Sequence, residues 1–170
     1  INVEKLLKGA DDSIEILKVE PKRNIISTTS QILLNHPFKP LVLFTYGSYL
    51  YNLGRWFQQL WAESLGKDEK FGQIPCVAIG TQDQHSILQM ISDVKESSVV
   101  WIWRGIDKEK FYPDLSFINL DLKGIVLNDY LRMAAEGVYE ALKQKGVEVL
   151  LLDLNKRSEY EIGKLLSFFM

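Results

Sequence analysis

Short apolar segments alternate with longer stretches of helical periodicity along most of this chain. The apolar segments lie at residues 41–44, 76–79, 99–103 and 147–152. Helices are predicted around them at residues 1–10, 26–35, 48–65, 82–94, 125–144 and from residue 158 onward. Strands that alternate with helices are typical of a parallel sheet. The sequence therefore predicts an α/β fold, a three-layer sandwich with a mostly parallel sheet between helices.

The helical periodicity also predicts which side chains face the sheet. In the helix at 48–65 these are Leu50, Leu53, Phe57, Leu60, Trp61 and Ser64. In the helix at 82–94 they are Ile87, Met90, Ile91 and Val94. In the helix at 125–144 they are Leu127, Leu131, Ala134, Val138 and Leu142.

Further expectations concern helix ends and strand environments. Gly9 is expected to close the first helix, and the hydroxyl cluster at residues 27–30 is expected to cap the second. The continuous apolar run at residues 147–152 predicts a strand that is buried on both faces. Cys76 is expected to be an inert thiol in the core. Trp101 and Trp103 share one face of a strand and are interpreted as core residues.

Composition excludes several classes of protein. The 170 residues carry a net charge of −2 and no basic block, so we expect no nucleic-acid partner. No apolar run approaches the roughly 18 residues of a membrane span, and we expect no signal peptide. The single cysteine fits a reducing compartment, and we expect a cytoplasmic protein. Neither metal-ligand spacing nor a cofactor-binding motif occurs, so no metal or cofactor is expected.

The length fits one domain spanning residues 1–170. The chain begins with Ile1 and stops at Met170, inside a predicted amphipathic helix. We therefore expect a piece of a longer protein, truncated at both ends.

Gln59 and Glu63 are candidate functional residues in the last part of the predicted helix at 48–65. They are four residues apart and therefore share a face. The negative end of the helix dipole is expected to raise the pKa of Glu63, which would suit a general base. A solvated carboxylate at a helix end is the alternative interpretation. Lys67 follows Gly66 and can reach an anionic ligand, or it is an ordinary surface lysine.

His85 is the second candidate, at the start of the next predicted helix. The positive end of that helix dipole would favour its neutral, proton-accepting form. Asp83 or Gln84 can orient the imidazole, and spacing does not distinguish them. A partly exposed histidine near a helix cap is the alternative.

These motifs together resemble one family. The sequence AESLGKD at residues 62–68 stands about twenty residues before DQHS at residues 83–86. This pair resembles the glucose-6-phosphate isomerases, particularly the bacterial type, and a diffuse similarity covers nearly the whole chain. The resemblance implies a sugar-isomerase domain of flavodoxin-like architecture, the second of two in a longer enzyme. It further implies that Gln59 binds substrate, that Glu63 is the catalytic base and that His85 opens the sugar ring.

The implied reaction is the reversible isomerisation of glucose 6-phosphate and fructose 6-phosphate through an enediol, a step of glycolysis and gluconeogenesis. The resemblance also implies a homodimer in which the histidine reaches the partner's active site. The family's Gly-Gly-Arg motif and its C-terminal catalytic lysine are expected outside residues 1–170. The piece is therefore expected to be inactive alone. A phosphosugar-binding regulatory module and a purely structural or dimerisation domain are the alternatives.

Overall fold

Four apolar segments form one parallel sheet, and helices cover both of its faces. The structure is a computed structural model that describes residues 1–19, 24–67, 69–94, 96–105, 126–154 and 156–170. The helices are α1 (Val3–Val19), α2 (Ile25–Leu34), α3 (Ser48–Leu65), α4 (Gly80–Asp93), α5 (Leu127–Gln144) and α6 (Glu159–Phe169). The strands are β1 (Leu41–Tyr46), β2 (Pro75–Ile79), β3 (Val99–Gly105) and β4 (Val149–Leu154). The predicted three-layer α/β fold is confirmed.

Strand β1 lies inside the sheet, in the order β2-β1-β3-β4, and every neighbouring pair is parallel. Leu41 of β1 pairs in register with Pro75 of β2 on one side and with Val99 of β3 on the other. Parallel strands need a crossover between them, and helix α3 supplies the one from β1 to β2. Among the described strands, β2 and β4 are the two edges.

The two faces of the sheet bury separate sets of side chains, because successive residues of a strand point to opposite sides. One core contains Leu41, Leu43, Val99, Trp101 and Trp103 of the sheet, Leu50 and Phe57 of α3 and Leu165 of α6. The opposite core contains Val42, Phe44, Tyr46, Val100 and Ile102 of the sheet, Ile91 of α4 and Ala135, Val138 and Leu142 of α5. Helices α3 and α4 therefore lie on opposite faces.

An aromatic cluster fills the core beneath α3. Trp103 stacks on Phe169 with ring centroids 4.9 Å apart, and Phe57 approaches Phe169 to 4.7 Å. Trp101 meets Trp103 edge to face at 5.7 Å. The interpretation of both tryptophans as core residues is confirmed, and these rings anchor α3 and α6 on the sheet.

The first helix is longer than expected, and the reason lies at Gly9. Helix α1 runs through to Val19, so the expectation that Gly9 closes it was wrong. Gly9 instead lies where α1 crosses α6, and a Cβ there would approach the Tyr160 carbonyl oxygen to 2.0 Å. Tyr160 Oη also donates a hydrogen bond of 2.7 Å to Asp12. Gly9 therefore allows α1 and α6 to pack closely, and it does not mark the end of a helix.

Helix α2 is capped by a residue outside the hydroxyl cluster. Asn24 precedes the helix, and its Oδ1 accepts a hydrogen bond of 2.8 Å from the Ser27 backbone N–H. The expectation that residues 27–30 supply the cap was therefore wrong, because these residues already lie within the helix. Asparagine is among the strongest N-cap residues, so Asn24 can cap the helix without a serine or threonine hydroxyl.

Three apolar helix residues face solvent rather than the sheet. Met90 and Val94 of the α4 region are 68% and 54% exposed, and Leu127 of α5 is 42% exposed. Ser64 is also exposed. The predicted inward faces were wrong at these positions because each helix contacts the sheet along a narrower stripe, which in α4 is centred on Ile91.

The edge positions of β2 and β4 correct two further expectations. Cys76 is exposed on β2, so it is not a core thiol. Strand β4 covers Val149–Leu154 rather than residues 147–152, and most of its side chains are half-buried. A continuous apolar run is typical of a central parallel strand, whose side chains are buried. Strand β4 is instead an edge strand with a neighbouring strand on one side only, so its side chains are less buried.

Candidate active site

The last turns of α3 carry two of the candidate residues in direct contact. The Gln59 amide Nε2 donates a hydrogen bond of 3.0 Å to Glu63 Oε1, and both side chains are exposed. This contact follows from their spacing of four residues on one helix. An open depression beside it is lined by Arg55, Trp56, Gln58, Gln59 and Ala62. Glu63 therefore carries its carboxylate at the border of a concave surface.

This end of α3 lies near the amino ends of the strands. Gln58 Nε2 donates a hydrogen bond of 2.8 Å to the carbonyl of Pro75, the first residue of β2. Lys67 is exposed just beyond the end of α3. Gln59, Glu63 and Lys67 thus belong to one region of the surface.

Helix α4 starts at the opposite edge, directly after the last residue of β2. Asp83 Oδ2 accepts a hydrogen bond of 2.7 Å from the Ile79 backbone N–H. Gln84 Nε2 donates a hydrogen bond to the hydroxyl of Tyr46, the last residue of β1. The first turns of α4 are therefore tied to the carboxyl ends of two strands.

His85 is exposed on α4, next to Gln84. The sequence left open whether Asp83 or Gln84 orients the imidazole. Both of these side chains are directed to other groups, Asp83 to the backbone of Ile79 and Gln84 to Tyr46. Neither side chain therefore hydrogen-bonds the imidazole directly.

Within one chain Glu63 and His85 are not brought together. Helix α3 lies on one face of the sheet and α4 on the other, and the two residues occupy opposite edges. Glu63 is fifteen residues from the start of α3 at Ser48, which corresponds to roughly 20 Å along the sheet. A site that uses both residues needs them from different chains.

A charged cluster at the carboxyl edge of the sheet had not been anticipated from the sequence. Arg104 of β3 is 8% exposed and bonds Glu136 of α5 at 2.6 Å and Asp153 of β4 at 2.5 Å. The hydrogen bond to Asp153, together with that to Glu136, holds the pKa of Arg104 above its usual value. The one sequence signal for this cluster was the position of Arg104 at the end of an apolar strand. An arginine that is buried requires a charged or polar partner.

Replacing Arg104 with methionine should lower the free energy of unfolding by about 1–3 kcal/mol. The thioether fills similar space but leaves two carboxylates close together without their common cation. Both are about half exposed and can be rehydrated, which keeps the effect below that of a fully buried pair. Urea denaturation monitored by tryptophan fluorescence measures the change. The exposed Arg132 of α5, changed to methionine, is the matched control, and equal midpoints for the two variants would show that the cluster adds no stability.

No helix in the described ranges is long and apolar enough to cross a membrane. Among the same residues, no group of three or more histidine, cysteine or carboxylate side chains is arranged to hold a metal ion.

Comparisons with known proteins address the resemblance suggested by the motifs. No protein-family profile matches the chain. A glucose-6-phosphate isomerase of Campylobacter jejuni is 29% identical over 175 residues, covering 99% of this chain and 43% of that protein. The chain thus spans less than half the length of this curated relative. The resemblance to glucose-6-phosphate isomerases is confirmed along nearly the whole chain.

Solved structures agree on the fold. A hypothetical protein of Thermus thermophilus superposes with a TM-score of 0.87 at 28% identity, covering 99% of this chain and 43% of its own. A glucose-6-phosphate isomerase of Chlamydia trachomatis superposes with a TM-score of 0.76 at 18% identity, covering 97% and 36%. At that identity the second structure supports the α/β architecture alone.

Proposed function

We propose that the protein carrying this chain interconverts glucose 6-phosphate and fructose 6-phosphate, a reaction of glycolysis and gluconeogenesis in the cytoplasm. In this proposal the chain forms the second sugar-isomerase-type domain of that protein. The observation that carries the proposal is the exposed Gln59–Glu63 pair at the end of α3, beside an open depression. The similarity to named glucose-6-phosphate isomerases supports the choice of substrate.

The proposed chemistry needs one base that works in both directions. Glu63 removes the proton from C2 of the open-chain aldose, and the carbonyl oxygen at C1 takes a proton from water and becomes a hydroxyl as the enediol forms. The same carboxyl group then returns its proton to C1, while the C2 hydroxyl gives its proton to water and becomes the ketone. Atoms and electrons balance without an external oxidant, because the oxidation of C2 accompanies the reduction of C1.

Gln59 and Lys67 would assist as binding residues. The amide of Gln59 already donates to Glu63, which leaves the second carboxylate oxygen available for the substrate proton. Its remaining donor can bind a substrate hydroxyl. Lys67, exposed nearby, can approach the phosphate as a mobile positive charge.

His85 would open the sugar ring by proton exchange: the imidazole takes the proton of the anomeric hydroxyl and gives one to the ring oxygen. A carboxylate and an imidazole separated by the thickness and length of the sheet cannot serve one substrate within a chain. We therefore propose a homodimer in which each active site combines Glu63 of one subunit with the partner's His85. A two-fold axis would generate two such sites.

Subunit complementation tests this function and its shared site together. In the full-length protein, Glu63→Gln and His85→Asn should each remove most isomerase activity. After the two variants are unfolded and refolded together, about one quarter of the sites should contain both wild-type residues, if subunits pair at random in a two-fold dimer. The measurement is fructose 6-phosphate turnover before and after mixing, with each variant refolded alone as the control.

Mixing that restores no activity would reject the shared site. An unmixed wild-type protein that binds glucose 6-phosphate without exchanging its C2 proton in deuterated water would reject the isomerase. That second result would favour a phosphosugar-binding regulatory module.

A further inference from the structure

The start of α4 is attached to the sheet at consecutive positions. Asp83 accepts a hydrogen bond from the Ile79 backbone, and Gln84 donates to the Tyr46 hydroxyl. Tyr46 ends the neighbouring strand β1, thirty-eight residues earlier in the chain. Both attachments precede His85, the next residue along the helix.

The ring of Tyr46 also sets how closely α4 approaches the sheet. Tyr46 is 1% exposed, and its ring lies directly beneath Gly80. A Cβ at Gly80 would come within 2.5 Å of Tyr46 Cδ1, so the first residue of α4 rests on the aromatic ring. The ring fixes the height of the helix, and the hydroxyl fixes its rotation through Gln84.

We propose that Tyr46 is a positioning residue for His85 and acts through Gln84, an inference that rests on the proposed ring-opening role of His85. Neighbouring helix residues point about 100° apart, so holding Gln84 against the sheet directs His85 away from it. This is the direction that a partner subunit's substrate requires. Without the Tyr46 contact, the first turns of α4 can rotate and the imidazole loses its fixed direction.

The tyrosine is chemically suited to a constant positioning role. Burial raises the pKa of the Tyr46 hydroxyl to about 12, although the Gln84 hydrogen bond acts in the opposite direction. The hydroxyl therefore remains protonated and neutral throughout the physiological range, and it accepts the Gln84 amide hydrogen at any pH at which the protein works.

The test is Tyr46→Phe in the protein carrying this chain, with Tyr130→Phe as the matched control. Tyr130 is 43% exposed on α5 and plays no part in the proposed site. Imidazole NMR signals, assigned by His→Gln substitution, should change at His85 and stay fixed at His36 in the Tyr46 variant. Exchange between the anomers of glucose 6-phosphate, which reports ring opening, should slow about fivefold with KM unchanged, the loss expected for one hydrogen bond. The control should change neither.

A Gln84→Met variant completes a double-mutant cycle. If Tyr46 acts through Gln84, the double variant should be no worse than either single variant. Additive losses, or an unchanged His85 signal in Tyr46→Phe, would overturn the positioning role. A wild-type protein without isomerase activity would refute the proposed function instead, and the NMR comparison would still decide whether Tyr46 holds His85.

Discussion

Replacing Glu63 with glutamine should lower kcat for fructose 6-phosphate isomerisation by about 10²–10⁴-fold, with little change in KM. The amide has the size and shape of the carboxyl group but cannot take a proton from carbon. Gln59 can still hydrogen-bond the new side chain, because the amide oxygen replaces the carboxylate oxygen that accepts from it. Since Glu63 is exposed, the substitution should leave the fold intact.

Steady-state kinetics of the full-length protein measure this effect. Glu140→Gln is a suitable control because Glu140 is exposed on α5, away from the proposed site. The variant at Glu63 should also stop deuterium incorporation at C2 in deuterated water. Retention of most of the parent rate would remove Glu63 from the role of base.

Replacing Gly163 with alanine should reduce the free energy of unfolding by about 2–4 kcal/mol. Gly163 lies where α6 crosses α1, and an added Cβ would come within 1.9 Å of the Leu6 carbonyl oxygen. A backbone atom cannot rotate away as a side chain can, so the two helices must separate. Their separation would also disturb the contact that Gly9 makes from the other helix.

Gly137→Ala is the matched control for this prediction. Gly137 lies in the exposed part of α5, and a Cβ there meets nothing within 4 Å. The better helix propensity of alanine should therefore raise stability by about 0.5–1 kcal/mol. Urea denaturation of both variants gives opposite shifts if packing at Gly163 dominates. Shifts of the same sign would show that α1 and α6 are not held at this spacing.

The sequence predicted the strands and α3 well because their signals are local. The run that starts at Leu41 is apolar at successive positions, and the face of α3 that contains Leu50 and Phe57 follows helical spacing. These patterns depend only on which residues are neighbours in the chain. The same local spacing predicted the contact between Gln59 and Glu63.

The errors share a different cause. The exposure of Cys76 depends on β2 being an edge strand, and the role of Gly9 depends on a helix more than 140 residues away. The order of strands and the crossing of distant helices are not encoded in local periodicity. A glycine inside a helical pattern is equally compatible with a helix end and with close packing, and only the partner helix distinguishes them.

The candidate site shows the same difference between local sequence signals and long-range contacts. The residue types at Glu63 and His85 were evident from the motifs, whereas the contact between Tyr46 and Gln84 spans 38 residues. Arg104 reaches Glu136 and Asp153 across 32 and 49 residues. Hydrogen bonds of this kind form only after the sheet is assembled. The sequence therefore indicated the reactive residues but not the distant residues that hold their surroundings in place.

The contact between α1 and α6 has a consequence for biosynthesis. Asp12 meets Tyr160 across 148 residues, so α1 leaves the ribosome long before its packing partner exists. Closing so long a loop carries an entropic cost that must be met before the contact contributes stability. The contact between α1 and α6 therefore cannot form until α6 has been synthesised, and until then the side of α1 that packs on α6 lacks that partner.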